Sequence, residues 1–485
     1  MKLPYSIQFC IDSARTFQKN LLNLFSNRSY ASLQLVEALV HASKPTTVVE
    51  LSQETPFQRS YSTINKVLDA FGEESLVTKT VNVGESTKTE RSIDPVVFSK
   101  ITKPFSDLFI SMLPKEGIRQ FRLFALDATS VPRIHADTLD DRSYIHQANQ
   151  IGLPVTVGVE ASVLTYLPEY STGEANWQLP VSLERISTET TACQVAGAQL
   201  QLLDELTSID SQLTVIVADS AYGSLAPYSK EQVVIARGRI DRQGQRPAKN
   251  DKTTHKGKGR PRKYEPGIIR FIEDLPPGTE GGSDEEYEFE DTIKQRRVDV
   301  LLNRWNDVHV EGHSELVDVV KVEVFAQDDY SEVLFPPLLL ILSGERRREI
   351  TALDAYRSYR RRFDIEHFFR FIKQKLLFCA YQTPELDHQV SWWWFCCMAY
   401  WLLYHTRHVA QGITRPWHQK QDPTKPAGPG EVKRLFATRI FPILGSPCPP
   451  PIKREKSRGR ELGTRFLKRE RKKVVKKRKN QRKAA

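Results

Sequence analysis

The run LTVIVADSAYGSL limits the possible folds more than any other stretch of the chain. Leu213, Val215, Ile216, Val217 and Ala218 make a nearly continuous apolar segment that stops at Asp219. A strand with no polar alternation is buried on both faces, so it needs a layer on each side, which points to an α/β sheet. A second run, FRLFALDATSVPR, gives a strand over Phe121–Leu126 with Asp127 at its end. Sites form at strand ends in α/β sheets. Taken alone, either aspartate also reads as a turn or cap residue. Further strands are expected at Pro154–Val163, Pro180–Ile186, Val233–Ala236 and Pro337–Ser343, and a helix at about Thr190–Leu206.

A later segment, AYRSYRRRFDIEHFFRFIKQKLLF, carries Tyr359, Arg362, Glu366 and Lys373. At about 100° per residue the four fall within roughly 60° of arc, so one helix would present them on one face. Beside them Ile365, Phe369, Ile372 and Leu376 form an apolar stripe, and Phe368 and Phe371 add apolar surface. Such a helix is buried, with its polar stripe lining a cleft. A carboxylate flanked by a tyrosine, an arginine and a lysine suits metal-dependent phosphate chemistry: the acid binds a cation and the basic groups hold a nucleic acid backbone. The bland alternative is an amphipathic helix with a surface ion pair, Arg362 and Glu366 being four apart.

With the two strand-end aspartates, the set Asp127, Asp219, Glu366, Tyr359, Arg362 and Lys373 resembles the DDE transposases of bacterial insertion sequences. The spacing follows the Y-x2-R-x3-E-x6-K signature of the YREK group, the IS-four superfamily, and the resemblance spans about Phe121 to Phe378. It implies an RNase H-like catalytic core with Asp127, Asp219 and Glu366 as ligands of two Mg2+ ions, for which Mn2+ may substitute. It also implies double-stranded DNA as partner, both transposon ends and target, and a homodimer that pairs two ends. Arg362 and Lys373 would contact phosphates, and Tyr359 would hydrogen-bond one. The order of strands and helix would make the first and fourth strands neighbours, so that Asp127 and Asp219 converge.

About 100 residues separate Ala236 from the strand at Pro337. That is too long for a loop within a compact domain. The alternating runs VDVLLNRWNDVHV and VDVVKVEVFAQ read as strands of a β-rich insertion, which the resemblance also implies. Trp305 lies there; it would either hold a flipped base or serve as core. From Arg237 to Lys263 there are 11 Lys or Arg against 2 Asp. Arg237 and Arg239 are candidates for gripping a DNA end. Arg260 and Arg262, in Gly-Arg-Pro-Arg, resemble a minor-groove AT-hook, a flexible basic loop being the alternative. An acidic stretch follows, Glu280 to Asp291.

Net charge is +11, yet Lys453 to Lys483 alone carries 17 Lys or Arg against 3 Glu, leaving about −3 for the rest. After the Pro-rich SPCPPPIK this reads as a linker and a basic arm, disordered or helical only on DNA, attracting phosphate regardless of sequence. The N-terminal residues look helical, without a strong strand. Val48–Leu51 and a helix beginning at Ser60–Ser62 suggest a helix-turn-helix, or else a plain bundle.

The expected architecture is therefore α/β: an RNase H-like mixed sheet flanked by helices, interrupted by a β-rich insertion, with a helical N-terminal domain and a basic tail. The segments are 1–113 (DNA-binding), 114–236 (core), 237–336 (basic loop and insertion), 337–412 (core with the YREK helix) and 413–485 (linker and tail). The 6 cysteines show no zinc spacing and read as reduced thiols of a cytoplasmic, nucleoid-associated protein, and no N-terminal signal is visible. Val390–Tyr404 is too short to span a bilayer comfortably and reads as a core helix. The function expected is metal-dependent DNA cleavage and strand transfer. A non-transposing RNase H-like nuclease and a non-catalytic DNA-binding protein are the alternatives.

Overall fold

The computed structural model describes residues 5–43, 47–72, 76–83, 86–93, 95–115, 117–146, 155–170, 176–207, 212–223, 225, 231–248, 263–273, 275–279, 281–327, 329–411, 427–451 and 470–475. Arg260, Arg262 and most of the basic tail lie outside them.

The chain opens with helices α1 (Tyr5–Leu24), α2 (Ser29–His41), α3 (Val48–Leu51) and α4 (Tyr61–Gly72). Thr47 starts α3 through a capping box: its hydroxyl accepts from the Glu50 backbone N–H, and the Glu50 carboxylate accepts from that of Thr47. A hairpin follows, β1 (Leu76–Val83) and β2 (Ser86–Ile93), then α5 (Pro95–Ser111). The hairpin departs from the all-helical expectation for this region. Val77, Thr78, Thr80, Val81 and Val83 are β-branched and favour extended backbone.

A sheet of twelve strands dominates the rest of the described chain. Its first members are β3 (Phe121–Pro132), β4 (Ser143–His146), β5 (Val155–Tyr166) and β6 (Leu179–Ile186). Helix α6 (Ala192–Thr207) leads to β7 (Leu213–Ala218) and β8 (Val233–Gly238). Then come β9 (Gln243–Gln245), β10 (Ile269–Arg270), β11 (Glu285–Ile293), β12 (Arg296–Val310), β13 (Val317–Ala326) and β14 (Asp329–Ser343). The spatial order is β10-β9-β12-β13-β14-β8-β7-β3-β5-β4, with β11 beside β12 and β6 beside β5. β3 runs parallel to β7, and β7 to β8, while β5 is antiparallel to both β3 and β6.

Two expectations change here. The insertion strands form no separate layer: β14 pairs antiparallel with β8 and carries the sheet onward into β13 and β12. The expected border at residues 336 and 337 falls inside β14, whose first half, DYSEVLFP, is too polar to announce a buried strand. Between β7 and β8 the described residues hold only a single 3-10 turn, Ser220–Tyr222.

The segment that carries Tyr359, Arg362, Glu366 and Lys373 follows as α7 (Ala352–Arg360), a 3-10 turn (Arg361–Phe363) and α8 (Asp364–Lys375), and then α9 (Leu386–His405). Every residue of α9 from Asp387 to His405 is buried. A helix apolar all round belongs inside a protein core or a membrane, and among the described residues no helix is long and apolar enough to cross one. Here α9 packs against α1, α2 and α4 on one side and β6 on the other. Trp392 donates to the Leu377 carbonyl and Trp401 to that of Pro180. The N-terminal helices and the sheet therefore share one hydrophobic core.

Residues 470–475 of the tail lie along the sheet. They run beside β4, with Lys472 N–H donating to Asp137 O and Val475 N–H to Arg142 O, both at 2.7 Å. Val475 bridges Ser143 in parallel, covering an otherwise open strand edge.

Candidate active site

The sheet register brings the two aspartates together. Leu126 of β3 pairs with Ala218 of β7, so Asp127 and Asp219 are the next residues on adjacent parallel strands, where neighbouring strands lie about 4.8 Å apart. Asp219 stands at a strand end, as expected. Asp127 does not: β3 continues to Pro132, its later half paired only with β5, from Asp127↔Val163 to Pro132↔Gly158. The site opens where β7 leaves β3 and frees one side of the longer strand.

Alternation places Asp127 and Ala128 on opposite faces. Ala128 pairs with Ser162, whose hydroxyl donates to Gln199 of α6 at 2.6 Å. Helix α6 thus covers one face, and Asp127 meets α7 and α8 on the other.

The four signature residues do not share one uninterrupted helix. Tyr359 lies on α7, Arg362 in the 3-10 turn, and Glu366 and Lys373 on α8. Tightening at Arg361–Phe363 re-aims the turn so that Arg362 reaches both acids. Its Nη1 is 3.2 Å from Asp127 Oδ2 and its Nη2 is 3.5 Å from Glu366 Oε1. Glu366 is half exposed, whereas Arg362 and most of Asp127 are covered. The apolar stripe behind them, Ile365, Phe369, Ile372 and Leu376, is buried as its spacing predicts.

Burial raises the Asp127 carboxyl to about 6, against the pull of Arg362 and of a hydrogen bond from the Ala128 N–H, while Asp219 and Glu366 push it further up. Asp127 therefore senses both of the other acids. Burial likewise raises the Tyr359 phenol, which is hydrogen-bonded to Arg362 and lies within the fields of Asp219 and Arg237. Tyr222, in the turn after Asp219, is buried beside Asp127, and its phenol is also raised, chiefly by burial and then by that aspartate. Tyr222 stands in the run LTVIVADSAYGSL, whose apolar pattern gave no reason to single it out.

Lys373 sits apart from the acids. Its Nζ donates to the Ser130 carbonyl at 2.9 Å, and burial lowers its pKa. It reaches β3 three residues beyond Asp127. Arg237 is exposed on β8 near Tyr359. Arg239 is exposed and paired with Asp241 at 2.6 Å, outside the cluster. Trp305 is buried in a small second core, its ring edge-on to Phe271 at 5.2 Å and its Nε1 donating to Gly281 O at 3.1 Å. Placed so, it fills the core role that the sequence allowed, and its face is not offered to a base.

Among the described residues no group of three or more His, Cys, Asp or Glu side chains is gathered around a common metal position. The donor set nevertheless suits hard divalent cations: oxygen ligands from three carboxylates, two of which act on Asp127 through their negative charge, with a guanidinium shared between Asp127 and Glu366.

No curated protein matches the chain. Residues 107–273 match the family model described as DDE superfamily endonuclease, and residues 193–402 match that of the transposase DDE domain. The first match contains Asp127 and Asp219 and the second Asp219 and Glu366, so together they frame the whole cluster and support reading this chain as a DDE transposase, a DNA-cleaving enzyme of a divalent-metal-dependent class.

Proposed function

We propose that this chain is the transposase of an insertion sequence of the YREK group, which binds terminal inverted repeats and excises and rejoins DNA by cut-and-paste strand transfer. The observation that carries the reading is that Asp127 and Asp219 follow paired residues on adjacent parallel strands, while Arg362 contacts both Asp127 and Glu366 of a distant helix. The strand order β6-β5-β3-β7-β8, antiparallel then parallel, supports an RNase H-like core. The later strands are an insertion grafted onto its β8 edge through β14.

The three carboxylates would hold two Mg2+ or Mn2+ ions, which supply a metal-activated water or 3′-hydroxyl and stabilise the leaving oxygen. The chain's own groups do the positioning. Arg362, which touches both Asp127 and Glu366, would also contact a phosphate of the DNA placed beside them. Tyr359, tied to Arg362, sets the angle of that guanidinium. Lys373 holds α8 to β3 through Ser130, which fixes Glu366 relative to Asp127. The α3–α4 pair is the candidate reader of terminal repeats. Two hydrogen bonds link α4 to the core: Tyr381 to Asn65 at 2.8 Å and His388 to Asp69 at 2.7 Å. A homodimer would bring two ends to two such sites.

The test is strand cleavage of duplex DNA carrying the element's own end, with Mg2+ or Mn2+. Cutting at the boundary by the intact chain, and none by Glu366→Gln despite undiminished DNA binding, is the expected result. Cleavage retained by the variant refutes the assignment. Cleavage without any strand joining favours a non-transposing nuclease on the same scaffold.

A further inference from the structure

The turn between β11 and β12 is built against backbone preference. Register pairs Ile293 with Arg296, leaving Lys294 and Gln295 as a two-residue loop. Both are left-handed, with φ of 48° and 68°. A two-residue hairpin turn of this hand is made without strain by Asn-Gly, because Asn tolerates positive φ and glycine has no Cβ to clash. A lysine and a glutamine there accept strain in both central residues. Strain retained at a loop tip points to a use for the side chains.

The tip carries basic side chains that face solvent. Lys294, Arg296 and Arg297 are all exposed, within four consecutive residues. Behind the tip β11 turns acidic, with Glu288 and Glu290 exposed. A polyanion is thus drawn to the tip and repelled from the strand behind it.

The tip is also fixed beside the catalytic segment. Arg360 of α7 forms an ion pair with Asp291 and donates to the Thr292 carbonyl at 3.4 Å. The Tyr356 hydroxyl donates to Asp291 at 3.0 Å, and its ring meets Phe289 edge-on at 5.6 Å. Arg360 lies two residues before Arg362 and one after Tyr359. The hairpin end is therefore clamped to α7, the helix that carries Tyr359 and leads through the 3-10 turn to Glu366.

We propose that the β11–β12 turn, through Lys294, Arg296 and Arg297, grips the phosphate backbone of duplex DNA next to the cleavage site. This rests on the transposase reading and adds to it the surface that holds the duplex. Each phosphate contact releases counterions, so it shows in the salt dependence of binding.

The experiment measures affinity for a short duplex across a salt series for four full-length proteins: wild type, Lys294→Asn with Gln295→Gly, Arg297→Gln, and Lys103→Gln as a charge control on α5. The Asn-Gly variant restores the unstrained turn, so its Tm should equal or exceed that of wild type. Each turn variant should lower the slope of log affinity against log salt by roughly 1 and weaken binding roughly 5–10-fold near 0.1 M salt. Lys103→Gln should change neither. Turn variants that bind with the wild-type slope overturn the proposal, as does an equal loss from Lys103→Gln, which would leave only net charge. No duplex binding by the wild type would instead refute the transposase reading itself.

Discussion

Asp127→Asn should stabilise this protein while abolishing its activity. The folded chain holds the Asp127 carboxyl at about 6, against a usual 3.8, chiefly by burying it. A shift of about two units corresponds to roughly 3 kcal/mol of differential stability between the ionised and neutral forms. The sign follows from proton linkage. Between the unfolded and folded pKa values the native state binds the extra proton, so stability falls as pH rises through this window, and above about 6 the full penalty is present. Asparagine mimics the neutral form at every pH. The variant should therefore gain about 3 kcal/mol at pH 8, lose the gain progressively below pH 6, and match wild type near pH 4. At about 2.1 cal/mol/K per residue, unfolding of the whole chain as one unit would turn that gain into about 3 °C in Tm. Thermal and urea unfolding from pH 4 to 8.5 provide the assay, repeated with Mg2+. Saturating cation should stabilise wild type, by about 2.7 kcal/mol at a hundredfold excess over Kd, and leave the variant unmoved. Destabilisation at pH 8, or a gain independent of pH, would refute the claim that Asp127 is a buried charge awaiting a cation.

Two other perturbations probe the framework. Lys433 is buried, and its Nζ donates to the carbonyls of Leu39, Val40 and Ala42 at 2.6–2.8 Å, closing the C-terminal end of α2. Lys433→Met should cost about 3 kcal/mol in urea unfolding, because three carbonyls lose their donor; a cost under about 0.5 kcal/mol would contradict that role. Gly344 has φ of 106°, and a Cβ there would stand 2.0 Å from the Gln232 carbonyl oxygen. Gly344→Ala should cost at least about 3 kcal/mol and also reduce cleavage, since the turn it starts leads into α7; wild-type stability and cleavage together would show that the backbone adapts freely.

The sequence by itself determined the local elements and the chemical identity of the site. An unbroken apolar run makes a strand buried on both faces wherever it is placed, and β7 lies at Leu213–Ala218 as its pattern predicts. The spacing of Ile365, Phe369, Ile372 and Leu376 fixed which side of α8 is buried. Side-chain periodicity is a property of the backbone and needs no partner. Tertiary structure decided whatever depends on pairing. The edge strands β4 and β11 are short or highly charged and carry little apolar signal, so they exist as strands because β5 and β12 supply their hydrogen bonds. The first half of β14 is extended because β13 pairs with it, and this makes the insertion a continuation of the sheet. Asp127 became central to a long strand because β5 outlasts β7 beside it. The 3-10 turn that lets Arg362 touch both Asp127 and Glu366 required those acids to be in place, and the clamp of the β11–β12 tip to α7 joins residues some 65–69 positions apart. Contacts between residues so distant in the chain leave no period in the sequence, and only the folded sheet brings them into register.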